Sequence, residues 1–271
     1  MNNIYPIAYT IAGSDSSGGA GVQADLKVFS KLNIHGCSIV TVVTAQNTAA
    51  VNNVEFLSEK IIEEQYDSLI CDLPPNALKI SMVGKAVELL IEKLILLKQP
   101  IIFDPIIDSS SNYNFINEEQ LLKIKSHFLP MCSLITPNWP EAKKLIGQDK
   151  YTVEDSAKCI IDFGVKAVLI KGGHINDVIC RDFFYDGENK FYLESPRLKN
   201  KMFHGTGCVL SAAITSYVAM GKSLTDAIIL AKAYLNQLLN NSPKIGMGDR
   251  LISIKVPCND CQYKPNIVCL D

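Results

Sequence analysis

Hydrophobic and polar positions along the chain follow two alternating rhythms. Short unbroken apolar runs, such as "IAYTIAG" from Ile7 and "CSIVTVVTA" from Cys37, read as buried strands. Between them, apolar residues return every third or fourth position: "GVQADLKVFSKLN" sets Val22, Leu26 and Phe29 on one helical face. The alternation continues through "EKIIEEQYDSLICDL" (helix), "ALKISMV" (strand), "AVELLIEKLILLK" (helix), "PIIFDP" (strand) and "NEEQLLKIKSHFL" (helix). "SLITPN" (strand), "DSAKCIIDFG" (helix) and "KAVLIKGG" (strand) follow. Such alternation predicts an α/β fold, a central and mostly parallel sheet with helices on both faces. One stretch breaks the rhythm. "DVICRDFFYDGENKFYLESP" is two β-rich runs about Asp186-Gly187, a hairpin pattern, after which the chain is helical from Gly205 to about Met220 and from Ser223 to about Asn240. Without an internal repeat or a low-complexity linker, residues 1–271 read as one domain, divergent in pattern after about residue 250.

Parallel sheets bind ligands beyond the carboxyl ends of their strands. The segments that follow the strands are "GSDSSGGAG", "AQNT", "MVG", "DPIIDSSSNYN", "TPNWPE" and "KGGH", polar and glycine-rich where the strands are not.

Composition narrows the function classes. With 271 residues and 48% hydrophobic content, the chain can fill a core without disulfides or metal. Its 26 basic and 28 acidic residues nearly cancel and form no long block, so no nucleic-acid partner is expected. The first residues lack a signal peptide's charged and apolar regions, and no apolar run approaches the roughly 20 residues of a membrane span. Nine cysteines cannot all pair, and Cys37, Cys159 and Cys180 sit in apolar segments. A reduced, cytoplasmic setting is therefore expected.

Four post-strand segments carry candidate chemistry. "GSDSSGGAG" holds four glycines in nine residues, more than a plain strand-to-helix turn needs, and lets a ligand approach the backbone. "TPNWPEAKKL" sets Asn138 and Glu141 three apart: an amide and a carboxylate suited to a water-rich Mg²⁺ shell, or equally the two halves of a capping box. Lys171 before Gly172 and Gly173 can reach a phosphate, although by itself it reads more simply as a solvated lysine at a turn. In "HGTGCVLSAA" the N–H groups of Gly205, Thr206, Gly207 and Cys208 converge at a helix start, a cup for a phosphoryl group. The same helix end is expected to lower the Cys208 pKa. His204 adjoins the cup, whereas His35, His127 and His174 have no metal-ligand spacing. Cys258 and Cys261 with Cys269 lack a clear fourth zinc ligand, and a frayed tail is expected there.

Taken together, "TIAGSDSSGGAGVQADLKVFSKL", "TAQNT", "ITPNWPEAKKL", "IKGGH" and "HGTGCVLSAA" resemble the hydroxymethylpyrimidine/phosphomethylpyrimidine kinases of thiamin synthesis, in order from about Thr10 to Gly221. The resemblance implies the ribokinase-like fold, ATP and Mg²⁺ as cofactors, a small pyrimidine substrate phosphorylated twice, and a homodimer. It assigns Gly13, Ala20 and Asp25 to the pyrimidine side, with Gln46 reading the ring's amino group and nitrogen and Met82 and Ile106 near the ring. Asp104, Asn138 and Glu141 would organise metal and phosphates, and Lys171 would lie on the ATP side. Gly205, Thr206 and Gly207 would form the anion hole, with Cys208 where related sugar kinases carry an aspartate base. The "IIDSSSNYN" segment after "FDP" departs from the family's small-residue stretch. A pyridoxal kinase of the same superfamily and a non-catalytic nucleotide- or pyrimidine-binding regulator are the alternatives. The amide of Gln46 argues against the first, and the retained Asp104, Glu141, Lys171 and Cys208 argue against the second.

Overall fold

The structure, a computed structural model, describes residues 5–107, 115–174, 178–198, 202–254 and 263–270. Its centre is β1 (Ile7–Asp15), buried almost throughout and flanked in parallel by β2 (His35–Gln46) and β4 (Ala77–Ser81). β3 (Val51–Phe56) turns back antiparallel along β2 and ends the sheet on that side. Beyond β4 come β5 (Ile101–Asp104), β6 (Leu134–Ile135) and β7 (Val168–Ile170), all parallel. The predicted hairpin is β8 (Ile179–Tyr185) and β9 (Lys190–Pro196), joined antiparallel to β7.

Two short strands, β10 (Phe203–His204) and β11 (Arg250–Leu251), pair in parallel outside the main sheet. The tail corrects an expectation. β12 (Asn266–Cys269) is not frayed but pairs with β9 as the tenth strand of the sheet among the described residues. Cys258 and Cys261 lie outside the described residues, and no cluster of three metal-ligating side chains occurs among those described. β3 escaped the sequence pattern because Asn52, Asn53 and Glu55 dilute its apolar positions, as suits an exposed edge.

Strand periodicity divides the core. Ile7, Tyr9 and Ile11 face one hydrophobic layer and Ala8 the other. The first layer is covered by α2 (Glu59–Ile70), α3 (Val87–Leu94), α4 (Glu118–Lys123), which widens into a π turn, α5 (Trp139–Ile146) and α6 (Val153–Ile161). α1 (Gly21–Lys31), α7 (Thr206–Ala219) and α8 (Leu224–Asn241) cover the second. α7 is buried on nearly every side, between α1, α8 and strands β4 and β5. This burial fits its uniformly small and apolar sequence. No described helix is long and apolar enough to cross a membrane. The parallel strands end on one side of the sheet, at Asp15, Gln46, Ser81 and Asp104.

Candidate active site

Those strand ends, the loop before α1 and the start of α7 enclose a cavity of about 260 Å³. Gly13, Ala20, Gln46, Met82, Asp104, Ile106, Asn138, Glu141, Lys171, Gly205, Thr206, Gly207 and Cys208 all line it. Asp25 does not. It lies on α1, fully buried, with its carboxylate 2.6 Å from Lys79 Nζ and accepting a 2.6 Å hydrogen bond from Thr10. Its expected place on the pyrimidine side is thus corrected to a sealed ion pair.

The turn into α7 requires glycine at Gly205 and crowds Gly207 against its neighbours. Gly205 has φ 84°, and a Cβ there would come within 1.9 Å of the Gly19 carbonyl oxygen. A Cβ on Gly207 would lie 3.0 Å from Lys171 Nζ and 3.5 Å from Asp104 Oδ2, so the bare backbone of the cup abuts this charged pair. Lys171 Nζ donates to Asp104 Oδ1 at 2.7 Å, and Thr136 and Ser211 hydroxyls donate to the same carboxylate at 3.2 Å each. Burial pushes the Asp104 carboxyl up, but the Lys171 and Lys79 ammonium groups outweigh it and hold the group below the usual carboxylate range.

Lys171 is placed by a parallel bridge to Asn138 and by its N–H on the Pro137 carbonyl at 2.8 Å. Asn138 and Glu141 do form a capping box at α5: Asn138 Oδ1 accepts from the Glu141 N–H at 2.8 Å, and Glu141 Oε2 from the Asn138 N–H at 2.7 Å. Both side chains also line the cavity, so the cap fixes their aim toward it.

Cys208 is 4% exposed, in the first turn of α7. Its expected low pKa is overturned. Burial pushes the thiol up to about 11, against the pull of the Lys79 ammonium and a Gly21 backbone hydrogen bond. The helix end is present, but desolvation in an apolar layer exceeds it. Lys79 stays charged because Asp25 faces it, with Cys208 and Asp104 adding to that pull against the cost of burial.

The other half of the cavity is organised by irregular backbone. A bulge between Ala45 and Gln46 shifts the β2–β3 register and re-aims Gln46. The Gln46 N–H donates to Ser16 Oγ at 2.8 Å, and that hydroxyl donates to the Gln46 carbonyl at 2.7 Å. Met82 takes φ 45°, a left-handed conformation unusual for its type, with its carbonyl held by the Thr41 hydroxyl at 2.8 Å. Asp15 anchors the glycine loop through the N–H groups of Ser17, Gly19 and Ala20 and meets His204 Nε2 at 3.0 Å. Burial opposes its ionisation, but the hydrogen bonds from His204, Ser17 and Ala20 take its pKa down to about 2. A Cβ on Gly19 would strike the His204 ring at 2.7 Å and Leu251 at 2.5 Å.

For a divalent cation the fit is good in kind: two carboxylates, Asp104 and Glu141, and the Asn138 amide border one cavity, all hard oxygen donors. Four functional neighbours were missed from sequence: Lys79, Thr136, Ser211 and Asp15. Lys79 and Asp25 had a readable signal, since opposite charges at core positions of a strand and a helix face imply a buried pair.

The chain matches the family described as phosphomethylpyrimidine kinase over residues 15–253. A hydroxymethylpyrimidine/phosphomethylpyrimidine kinase of Synechococcus elongatus is 39% identical over 249 residues, 90% of this chain and 95% of that protein. The crystal structure of phosphomethylpyrimidine kinase from Clostridium difficile 630 is 37% identical, with TM-score 0.74 over 86% of this chain and 98% of that one. Staphylococcus aureus pyridoxal kinase in complex with AMP-PCP and pyridoxal is 28% identical, with TM-score 0.86 over 98% and 99%. These likenesses identify the layered sheet as the ribokinase-like fold. With the family match spanning the glycine loop, the Asn138–Glu141 cap and the α7 cup, the chain belongs to the phosphomethylpyrimidine kinase family.

Proposed function

We infer that this chain is an ATP-dependent kinase that phosphorylates 4-amino-5-hydroxymethyl-2-methylpyrimidine and then its monophosphate, in thiamin biosynthesis. The carrying observation is that Gln46 and the Gly205–Gly207 cup border one cavity. An amide that can read an aminopyrimidine edge and a nest of N–H groups for a phosphoryl group therefore serve the same bound pair of substrates. The family names of the relatives support the same reaction.

In the transfer, the acceptor hydroxyl oxygen bonds to the γ-phosphorus as the bond from that phosphorus to the β,γ-bridging oxygen breaks. The N–H groups of Gly205, Thr206 and Gly207 take the charge spread over the equatorial oxygens, and Lys171 beside them adds a point charge. Asp104 keeps that ammonium in place. Asp104, Glu141 and Asn138 would hold Mg²⁺, which neutralises phosphate charge when bound. Cys208 orients the acceptor oxygen as a thiol, and the hydroxyl proton passes to an oxygen of the transferred phosphoryl group as the new O–P bond forms.

Coupled ADP-release assays with the pyrimidine, its monophosphate and pyridoxal test this reading. Turnover of both pyrimidines above pyridoxal is expected. A preference for pyridoxal, which the close overlay with the Staphylococcus aureus structures makes the relevant rival, would reassign the substrate.

A further inference from the structure

The two ends of the Gln46 amide are nearly the same shape but opposite in hydrogen-bonding sense, so their neighbours decide which end lies where. The structure places Gln46 Nε2 3.0 Å from His204 Nε2 and Oε1 3.2 Å from Thr44 Oγ1. Both neighbours are themselves committed to partners that can only accept. Thr44 Oγ1 is 2.9 Å from the Ser14 carbonyl oxygen, and a carbonyl has no proton to give. The single Thr44 hydroxyl proton therefore goes to Ser14, and the oxygen is left to accept from Gln46.

His204 Nε2 lies 3.0 Å from Asp15 Oδ2. That oxygen already accepts from the Gly19 N–H at 3.1 Å, the Ala20 N–H at 2.9 Å and the Ser17 hydroxyl at 2.9 Å. So many donors leave an ionised carboxylate, in keeping with its depressed pKa. His204 must then carry its proton on Nε2 and donate to it. That single N–H, directed at Asp15, can be shared only with an acceptor from Gln46 and not with a second donor. Two independent contacts thus require the amide turned over from that placement, with its oxygen toward His204 and its NH₂ toward Thr44. Left unturned, the amide sets donor against donor at His204 and lone pair against lone pair at Thr44.

We propose that His204, steered by Asp15, is a positioning residue for substrate choice: it fixes the direction of the Gln46 amide and so the direction in which a heteroaromatic edge can pair with it. Resting on the pyrimidine reading above, the favoured edge presents an exocyclic amino donor on the His204 side, to the amide oxygen, and a ring-nitrogen acceptor on the Thr44 side, to the NH₂. A ring turned over, or one lacking the amino group, meets a mismatched amide. Asp15 and His204 come from the glycine loop and the strand before the cup, so two of the chain's motifs act on specificity through a third.

The test pairs His204→Phe with His204→Gln, whose amide can still donate. KM and kcat are measured for 4-amino-5-hydroxymethyl-2-methylpyrimidine and for its analogue without the amino group. His204→Phe should raise the aminopyrimidine KM roughly 10- to 100-fold. It should leave the ATP KM unchanged and move the analogue's KM little, while His204→Gln should restore most of the loss. An equal rise for both substrates, or no rise, would overturn the proposal. A measurement on the wild-type protein does not depend on the variants folding: nuclear Overhauser contacts of the ¹⁵N-labelled Gln46 side-chain NH₂ should run to the Thr44 methyl. Contacts to the His204 ring instead would refute the amide direction. A wild-type enzyme that ignored the pyrimidine but showed the Thr44 contacts would sink only the substrate reading.

Discussion

Two carboxylates in this molecule meet a lysine at almost the same distance: Asp25 to Lys79 at 2.6 Å and Asp104 to Lys171 at 2.7 Å. Their surroundings differ. Lys79 and Asp25 are wholly shielded between β4 and α1, whereas Lys171 keeps 14% of its side chain exposed and lines the cavity with Asp104. A sealed pair can hold elements together and bias the charge of its neighbours. A pair with one open face can also trade part of its contact for a phosphate. Near-identical local chemistry thus divides into structure and function through access alone.

The comparison breaks most decisively at Lys79. Lys79→Met strands the Asp25 carboxylate in the core, and the unfolding free energy should fall by about 3–5 kcal/mol in denaturant melts. Asp25→Leu with Lys79→Met should recover most of that, because neither charge then needs a partner. A Lys79→Met protein as stable as wild type would mean the sealed pair has no structural role.

At the open pair the loss should appear in turnover. Lys171→Met is expected to lower kcat by roughly 10²–10³-fold. Its melting temperature should drop less than that of Lys79→Met, since Thr136, Ser211 and Lys79 still stabilise Asp104. Adding Asp104→Asn should not restore activity, in contrast to the rescue at the sealed pair. Rescue there would place both pairs in the structural class.

Cys208 feels both pairs and sharpens the contrast. Cys208→Ala should reduce kcat about 10²-fold through loss of positioning of the acceptor oxygen and cost only about 1 kcal/mol of stability. Because burial lifts its pKa from 9.0 to about 11, the thiol contributes stability fully below pH 9 that is lost as pH rises toward 11. Iodoacetamide should accordingly react slowly with Cys208 at pH 7 and faster on approach to pH 11, with bound pyrimidine protecting, whereas exposed Cys71 and Cys269 react at neutral pH. Rapid labelling of Cys208 at neutral pH would show a resident thiolate and restore the lower pKa that the helix end suggested.

The sheet, its parallel direction and the hairpin were legible because each depends on local periodicity. β3 and β12 were not, because an edge strand needs only one apolar face, and β12 also takes its pairing from the distant β9. In the site, the glycines at the start of α7 stood out because turn chemistry is local. Asn138 and Glu141 read equally as a cap, and Lys171 as a solvated turn residue, until the resemblance placed them. The true setting of Asp25 was missed, since its partner lies 54 residues away on β4, although two opposite charges at core positions hinted at the pair. The thiol's ionisation was misjudged for a related reason. A helix end can be read from a few letters, but desolvation depends on everything packed around it.

Gly19, His204 and Leu251 meet at a point where a single added carbon on Gly19 would find atoms 2.5 Å and 2.7 Å away. β10 and β11 bring the last two together by pairing His204 with Leu251. The imidazole is thereby seated like a shaft between two bearings, one in the first loop of the chain and one beyond its last helix. Such a mount transmits wear: a substitution at Leu251, remote in sequence from every recognisable motif, tilts the ring that faces Gln46. Through Leu251, the chain after α8 thus reaches the wall of the cavity at His204.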